Sequence, residues 1–180
     1  MKYKLIAAIS SNRGIGTNGT LPWRIKEDLS HFSKTTKGNG NNAIIMGRKT
    51  WKSLNEKMLV GRDNLILSST INIDDCVNGN IVKTFDTTNS LDCFIDERSY
   101  DEVWVIGGGE IYKNYIQLEK VDTCLITVID KEYNCDTYFP SLNNKWNNIE
   151  NNIIKTQQGF EIQIKKFTLN TSSSQNMDYQ

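Results

Sequence analysis

Four apolar residues run directly into three glycines in Val103-Trp104-Val105-Ile106-Gly107-Gly108-Gly109. An apolar run without polar alternation is typical of a strand that is covered on both faces of a sheet. Glycine permits unusual φ values and lets a ligand approach the backbone closely. Because residues 110–116 have a helical pattern, the segment predicts a strand, a turn and a helix. The turn is either a ligand site or only a tight connection.

The alternation of strands and helices continues on both sides of this segment. Short apolar runs bounded by polar or glycine residues predict further strands at residues 5–9, 43–46, 65–67 and 124–129. Helical patterns lie between them, at residues 25–32, 49–54 and 90–95. This order predicts an α/β fold, with a largely parallel sheet and helices on both of its faces.

The carboxyl-terminal part of the chain has a different pattern. Residues 152–155 and 160–167 are strand-like, and the Gln157-Gln158-Gly159 segment between them predicts an antiparallel hairpin at the edge of the sheet. Residues 170–180 are polar and rich in serine and asparagine, which predicts a disordered tail.

The composition limits the kinds of function that the chain can have. A chain of 180 residues is long enough for one domain with a sizeable core. Its 21 basic and 21 acidic residues give no net charge, which argues against nucleic acid or an anionic membrane as a partner. The four cysteines and single histidine lack the spacing of zinc ligands, so we expect no metal. No apolar run resembles a signal peptide or a membrane span, so we expect a soluble cytoplasmic protein with reduced thiols.

A glycine-rich segment follows the first predicted strand, and it matches the phosphate-loop pattern G-x-G-x-x-G in Gly14-Ile15-Gly16-Thr17-Asn18-Gly19. We reject a phosphate loop because that motif must open a helix, whereas Leu21-Pro22-Trp23 follows here. Pro22 disfavours a helical conformation at Leu21. The segment is therefore interpreted as a mobile loop. It forms either a plain surface turn or, with the large Trp23 side chain behind it, one wall of a cleft.

Asp28 lies at the edge of the apolar face of the first predicted helix. With about 100° per residue, Ile25, Leu29 and Phe32 share one face, Asp28 borders that face, and Glu27 faces water. An acidic residue in the first turn can simply interact favourably with the helix dipole. The alternative is a carboxylate in an apolar cleft. Desolvation would raise its pKa there, and a protonated ligand edge would be its natural partner.

Two further segments place cations at predicted turns. Met46-Gly47-Arg48-Lys49-Thr50 ends a strand and begins a helix, so it predicts either a phosphate-binding helix start or a solvated basic turn. Arg62 precedes the third predicted strand. It either holds a carboxylate through two N–H groups or is a surface charge.

Taken in order, these segments resemble the dihydrofolate reductase family over residues 4–169. The motifs that carry the resemblance are Ile6-Ala7-Ala8-Ile9 with Gly14-Ile15-Gly16, Leu21-Pro22-Trp23, Asp28-Leu29 with Phe32, Ile45-Met46-Gly47-Arg48-Lys49-Thr50-Trp51, Gly61-Arg62-Asp63-Asn64, Val105-Ile106-Gly107-Gly108-Gly109 with Ile111-Tyr112, and Asp136-Thr137-Tyr138-Phe139-Pro140. Each is weak alone, and the ordered set is very specific. It implies a three-layer α/β fold in a domain of residues 1–169, with a mixed, mostly parallel eight-stranded sheet, a carboxyl-terminal antiparallel hairpin and about four flanking helices.

The resemblance implies reduction of 7,8-dihydrofolate to 5,6,7,8-tetrahydrofolate by hydride transfer to pterin C6 with protonation of N5. Asp28 would bind the 2-amino group and N3 of the pterin, with Thr127 bridging to it, and would act electrostatically rather than by direct proton transfer. Trp23 and Leu21 complete the implied catalytic set. The implied substrate contacts are Ile6, Ala8, Asp28, Leu29, Phe32, Leu54, Leu59, Arg62, Ile106, Tyr112 and Thr127.

The implied cofactor is NADPH. Arg48, Ser68, Ser69 and Lys83 would surround the adenosine 2′-phosphate. The other implied cofactor contacts are Ala8, Ile15, Gly16, Gly47, Lys49, Thr50, Ile106, Gly107, Gly108, Gly109, Glu110, Ile111, Tyr112 and Thr137. The peptide between Gly107 and Gly108 would be cis, and residues 14–21 would close over the nicotinamide and exclude water.

Two stretches depart from the family pattern. Residues 54–59 lack the prolines that many relatives carry there, which bears on the assignment of Leu59 beside the aminobenzoyl group. Glu110 brings a negative charge near the expected phosphates unless its side chain turns outward. We also expect a monomer without a fused thymidylate synthase domain, and antifolates as further ligands.

Two other hypotheses follow from the same residues. The chain could be a non-catalytic ligand-binding protein that kept the pocket, but the presence of Asp28, Trp23 and Thr127 argues against this. It could also be a reductase of the same broad fold that acts on another pyrimidine or pterin, as in riboflavin synthesis. A carboxylate at Asp28 paired with Thr127 argues against that activity.

Overall fold

The structure, a computed structural model, describes residues 2–170. Its helices are α1 (Lys26–Lys37), α2 (Arg48–Ser53), α3 (Thr88–Asp96) and α4 (Gly109–Gln117). Its strands are β1 (Tyr3–Ser10), β2 (Gly14–Gly16), β3 (Ala43–Gly47), β4 (Asp63–Leu67), β5 (Asp74–Val77), β6 (Asn80–Phe85), β7 (Val103–Gly107), β8 (Val121–Ile129), β9 (Thr137–Tyr138), β10 (Trp146–Lys155) and β11 (Glu161–Leu169).

Within the described range, nine strands form one mixed sheet in the order β10-β11-β8-β1-β7-β3-β4-β6-β5. The six strands from β8 to β6 in this order run parallel to one another. Antiparallel strands extend both edges, with β11 and β10 beside β8 and with β5 beside β6. The predicted fold class is confirmed, with nine strands in the sheet where eight were expected.

The central strands are apolar along their length because both faces of the sheet are covered. Leu5 and Ala7 of β1 join a core with residues of α3 and α4, whereas Ile6 between them joins a second core with Trp51 of α2 and Phe32 of α1. Successive side chains of a strand point to opposite faces, so an uninterrupted apolar run supplies both cores. Full burial of each aliphatic side chain contributes roughly 1.5–3 kcal/mol.

The predicted helices are confirmed, with small shifts at their ends. Helix α1 carries Glu27 and Asp28 in its first turn, where negative charge is favourable, and it ends at Gly38 with a φ of +53°. Helix α3 is capped by Thr87, whose side chain accepts a hydrogen bond from the backbone N–H of Ser90.

The sequence analysis did not predict the β5–β6 hairpin. Its turn is Asn78-Gly79, and both residues have positive φ values, of +51° and +80°. This pair is a strong signal for a two-residue hairpin turn. Because β5 is exposed along its whole length, it lacks the apolar alternation on which strand prediction depends.

The glycine-rich segment forms part of a second, two-stranded sheet, in which β2 pairs with β9. The next helix begins only at Lys26, so the rejection of a phosphate loop is confirmed. A β-bridge between Thr17 and Thr20 closes the rest of this loop.

The predicted hairpin near the carboxyl end is confirmed as β10 and β11. Apart from Asn170, the predicted tail of residues 170–180 lies outside the described residues. Between residues 2 and 170, no helix combines the length and the apolar character that crossing a bilayer requires. No cluster of three or more metal-ligating His, Cys, Asp or Glu side chains occurs in that range either.

Candidate active site

The predicted site residues collect where the central parallel strands end. Gly47 ends β3, Gly107 ends β7, and Ser68 directly follows β4. Near the end of β1, Ala8 lies opposite Thr127 of β8 in the sheet register. Ligands of parallel α/β sheets bind at the carboxyl ends of strands, so the topology brings these chain segments to one candidate site.

Asp28 enters this site from the first turn of α1. Its side chain is only 6% exposed, although it is acidic, and it forms a hydrogen bond with the side chain of Thr127, which is also buried. Burial raises the pKa of Asp28, whereas the Thr127 hydrogen bond and the nearby charge of His31 act in the opposite direction. The helix-dipole explanation therefore does not account for Asp28 by itself. The prediction of a carboxyl in an apolar cleft with a raised pKa agrees with this geometry.

The neighbouring carboxyl groups of Glu27 and Asp28, in the first turn of α1, have different surroundings. Glu27 is half-buried and accepts a hydrogen bond from the backbone N–H of Gln157 at 2.7 Å, on the side of the β10–β11 turn. Leu29 is 42% exposed, so its side chain is not part of the packed core. Phe32 packs partly buried against the second core, as the helical pattern predicts.

Tyr112 of α4 connects the glycine turn to the first strand. Its hydroxyl donates a hydrogen bond to the carbonyl of Ile6 at 2.9 Å, and its ring packs against Phe139 with the centroids 5.2 Å apart. Burial is the main cause that raises the pKa of this phenol, and the charge of Asp28 adds to it. Tyr112 is therefore a neutral side chain beside the Asp28 carboxyl.

The three-glycine turn has the cis peptide bond that the resemblance implies, between Gly107 and Gly108. A β-carbon added at Gly109 would lie 3.1 Å from Cγ2 of Thr137 and 3.6 Å from Cδ1 of Ile15. One added at Gly108 would lie 3.5 Å from the hydroxyl of Thr50. Because Gly108 and Gly109 have no side chain, the space beside their backbone is left open, and any other residue at these positions would fill it.

This surface also includes the end of β3. A β-carbon added at Gly47 would lie 2.9 Å from Cγ1 of Ile111, which places the start of α2 next to the first turn of α4. Neither helix has a side-chain cap at its amino end, where backbone N–H groups are free to bind an anion. Gly16 pairs with Thr137 across the small sheet and so lies at the same turn. These contacts fit the pyrophosphate of a dinucleotide.

Charged side chains surround this turn on its exposed side. Arg48 and Lys49 occupy the first turn of α2 and are exposed, as is Glu110 in the first turn of α4. An exposed Glu110 is compatible with the alternative in which its side chain turns outward.

A second part of the candidate site is an apolar cluster formed by the sheet with residues from α1 and from the segment that follows α2. In this cluster, the buried Ile6 and Ile106 pack with the partly buried Phe32, Leu54 and Leu59. All five were predicted from the resemblance to contact substrate. The backbone of Leu59 is held by Asn64, whose side chain accepts from its N–H at 2.9 Å and donates to its carbonyl at 3.0 Å.

Arg62 is anchored on α1, the helix that carries Phe32. Its side chain is 4% exposed, so the interpretation of Arg62 as a surface charge is wrong. Nη1 donates to the hydroxyl of Thr36 and to the carbonyl of Ser33, the latter at 3.2 Å, and Nε is buried without a partner in residues 2–170. Helix α1 therefore orients the guanidinium and leaves part of its N–H fork available for an anion.

A cavity of about 560 Å³ opens beside the carboxyl end of β4. Ser68, Ser69 and Lys83 line it together, as the implied 2′-phosphate site requires, and Phe85 and Phe94 form apolar walls. Lys83 also forms an ion pair with Asp74 of β5. The structure thus brings together three of the four residues implied for this phosphate. Arg48, the fourth, is exposed at the start of α2.

Trp23 and Leu21 flank the loop that precedes α1. Trp23 is buried, its ring centroid lies 5.2 Å from that of Tyr133, and its indole N–H has no partner in the described part of the chain. Leu21 is 51% exposed. A buried tryptophan that directly follows the loop argues against a plain surface turn.

With this geometry in place, comparison with known proteins decides the family. The sequence model described as Dihydrofolate reductase matches residues 2–170. The chain belongs to the dihydrofolate reductase family. The predicted resemblance is confirmed, and the prediction of an enzyme, an oxidoreductase, is confirmed with it.

Individual relatives agree with the match to the dihydrofolate reductase family. A dihydrofolate reductase of Drosophila melanogaster is 32% identical over 148 residues, which cover 79% of this chain and 81% of the relative. One of Heliothis virescens is 35% identical over 150 residues, covering 79% and 80%. A bifunctional dihydrofolate reductase-thymidylate synthase of Daucus carota is 34% identical over 149 residues, which cover 78% of this chain and 28% of that protein.

Several residues that support the site of this dihydrofolate reductase family member were missed by sequence reasoning. Thr36 and Ser33 orient Arg62, Asp74 pairs with Lys83, and His31 lies near Asp28. Thr36 and Ser33 are distant from Arg62 in sequence, so no local pattern predicts those contacts, whereas Asp74 and Lys83 face each other in the β5–β6 hairpin that was also missed.

Proposed function

We propose that the protein reduces 7,8-dihydrofolate to 5,6,7,8-tetrahydrofolate, with NADPH as the hydride donor. The single observation that carries the proposal is the buried Asp28 carboxyl, which has Thr127 as its hydrogen-bond partner and lies on the helix whose Phe32 packs against the apolar cluster. A buried carboxyl is costly unless a ligand or a neighbour compensates it. A pterin presents an amino group and a ring N–H on one edge, which match the acceptor oxygens of such a carboxyl.

In the proposed complex, the pterin ring lies in the slot between Ile6, Ile106 and Phe32. Asp28 binds the 2-amino group and N3, and Thr127 holds the carboxyl in that orientation. Leu29, Leu54 and Leu59 line the path of the aminobenzoyl group toward Arg62. The buried, pre-oriented guanidinium binds the α-carboxylate of the glutamate tail, which matches its remaining N–H groups.

Asp28 acts on the reaction through its charge. Protonation of N5 makes the pterin cationic, and an ionised carboxylate in a poorly solvated slot favours that cation. Because Asp28 contacts the far edge of the ring, water rather than Asp28 delivers the proton to N5. The raised pKa of Asp28 brings its titration closer to neutral pH. Acidification then removes the negative charge that favours the N5-protonated pterin.

The residues at the glycine turn fit the cofactor. The free backbone of Gly108 and Gly109, with Thr50 and Thr137 beside it, would hold the pyrophosphate, and Ala8, Ile15 and Tyr112 would border the nicotinamide. When bound, the dihydronicotinamide ring supplies the hydride. Ser68, Ser69, Lys83 and Arg48 would bind the 2′-phosphate, which would favour NADPH over NADH.

Loop closure completes the proposed cycle. Leu21 and the segment of residues 14–21 would close over the reacting rings and exclude water, and the buried Trp23 would support that segment. We further propose that the protein acts in the cytoplasm as a monomer. Light scattering on the purified chain would test the monomer, and microscopy of a tagged chain would test the location.

A direct spectrophotometric assay tests the proposed activity. Purified protein is mixed with NADPH and dihydrofolate, and the loss of NADPH absorbance is followed in the presence and absence of an antifolate such as methotrexate. The proposal predicts dihydrofolate-dependent oxidation of NADPH that the antifolate abolishes. Tight antifolate binding without any turnover would contradict it and favour a non-catalytic binding protein.

A further inference from the structure

His31 lies one helical turn after Asp28 on α1. Residues three apart on a helix are neighbours on its surface. The imidazole is half-buried, and its Nε2 atom is buried without a hydrogen-bond partner in residues 2–170. The chain therefore places an unpartnered titratable nitrogen within electrostatic reach of the buried carboxyl.

The groups that act on Asp28 come from three elements. Thr127 of β8 contributes a hydrogen bond, and Tyr112 of α4 contributes a phenol that burial keeps neutral and that already donates to the Ile6 carbonyl. His31 is the third, from α1 itself. Of these three, only His31 can become positively charged.

For both residues, burial shifts the pKa in one direction and the charge of the other residue shifts it back. Burial lowers the pKa of His31, and the negative charge of Asp28 partly raises it again. Burial also raises the pKa of Asp28, and a positive charge on His31 lowers it. At neutral pH the imidazole is therefore mainly uncharged. As the pH falls, the imidazole gains a proton, and its positive charge then lowers the pKa of Asp28.

We propose that His31 is a positioning residue that acts through Asp28, because its protonated imidazole keeps the neighbouring carboxyl ionised at a lower pH than burial alone would allow. The inference rests on the proposed function of Asp28, and it adds a partner that sets the acid limit of activity. No contact between His31 and substrate is required. The imidazole acts on the reaction only by controlling the charge that Asp28 presents to the pterin.

The direct test is a proton NMR titration of the ligand-free protein. The chain has a single histidine, so every imidazole signal belongs to His31. Asp28→Asn removes the charge that favours the imidazolium, so the midpoint of the His31 titration should move to lower pH. Glu27→Gln is the matched control, since it neutralises the adjacent carboxyl, which is bound to the backbone of Gln157. An unchanged midpoint in Asp28→Asn, or an equal shift in both variants, would overturn the inference.

A second measurement distinguishes coupling from a structural role. His31→Gln keeps a polar side chain and an N–H donor, and His31→Phe keeps a ring, but neither residue titrates. In both variants the acid limb of kcat/KM for dihydrofolate should move to higher pH, while kcat above neutral pH stays within about threefold of wild type. If the pH profile of kcat/KM in His31→Gln is the same as that of wild type, the role of the imidazole is only structural and the inference is overturned.

The two measurements also separate this inference from the proposed function. The NMR titration does not depend on turnover. A shifted His31 midpoint in an Asp28→Asn variant that is fully active would support the coupling and contradict the proposed function of Asp28. If Asp28→Asn is inactive but the midpoint of the His31 titration does not move, the coupling between His31 and Asp28 is contradicted and the proposed function of Asp28 is not.

Discussion

The ring of Tyr112 lies where any residue other than glycine at position 107 would place its β-carbon. That atom would be 2.8 Å from Cζ and 2.9 Å from Cε2 of the ring. Gly107 also has a φ of +106°, which side chains rarely adopt. Since the Tyr112 hydroxyl is hydrogen-bonded to the carbonyl of Ile6, the ring cannot move away without losing a buried hydrogen bond. Both packing and backbone conformation therefore require glycine at this turn.

Gly107→Ala should lower the free energy of unfolding by roughly 2–5 kcal/mol, because backbone strain of about 1–2 kcal/mol adds to overpacking of about 1–3 kcal/mol. Gly79→Ala is the matched control. Gly79 has a φ of +80°, but nothing lies within 4 Å of its added β-carbon, so only the strain should appear. Urea unfolding measures both losses, and equal losses would show that contact with Tyr112 contributes nothing.

Arg62→Lys should raise KM for dihydrofolate by roughly 10- to 100-fold, because lysine cannot reproduce a planar fork of N–H groups around a carboxylate. The same variant should have nearly unchanged kinetics with dihydropteroate, which lacks the glutamate. Thr36→Val, which removes one partner of the Arg62 guanidinium, should have a smaller effect in the same direction. Equal losses on both substrates would mean that Arg62 supports the fold and not the glutamate tail.

Lys83→Gln should raise KM for NADPH by roughly 5- to 10-fold and leave KM for NADH unchanged, because one charge-assisted contact to the 2′-phosphate is lost. Asp74→Asn should act in the opposite direction, since it frees Lys83 from its ion pair. Asp75→Asn, at the neighbouring position in β5, is the control. A parallel change for both cofactors would contradict a role in phosphate recognition.

Asp28→Asn should stabilise the folded protein at neutral pH. The folded-state pKa of Asp28 is raised above its ordinary value of 3.8, so its favourable contribution is complete below that value and is lost as the pH rises through the folded-state pKa. Each unit of the shift corresponds to about 1.4 kcal/mol. Thermal unfolding from pH 4 to pH 7 should show the variant gaining on wild type as the pH rises. A difference that is constant with pH would mean that the carboxyl is not desolvated.

The central strands and four helices could be predicted because each follows a local rule. A strand such as Val103–Gly107 is buried on both faces and is apolar throughout, and helices such as α4 begin at glycines and keep a regular apolar spacing. Strand β5 escaped prediction because it contributes no buried side chain, although the Asn78-Gly79 turn beside it was a usable signal.

The candidate site was predicted unevenly for a related reason. The position of Asp28 on its helix could be derived from spacing, but its pairing with Thr127 depended on resemblance, since the two are distant in the chain. The exposure of Leu29 could not be derived in the same way, because the helical pattern assigns a residue to a face without showing what covers it. The anchoring of Arg62 by Thr36 depends on how α1 packs against the segment that precedes β4, which no pattern in either segment specifies.

The most direct test of the account is the turnover of Asp28→Asn with NADPH and dihydrofolate, measured across pH beside wild type and Glu27→Gln. We expect a loss on the order of 10²-fold or more at neutral pH, with partial recovery on acidification as dihydrofolate itself becomes protonated, and near-normal turnover in Glu27→Gln. Near-wild-type turnover of Asp28→Asn at neutral pH would contradict the claim that this buried carboxylate promotes protonation of the substrate.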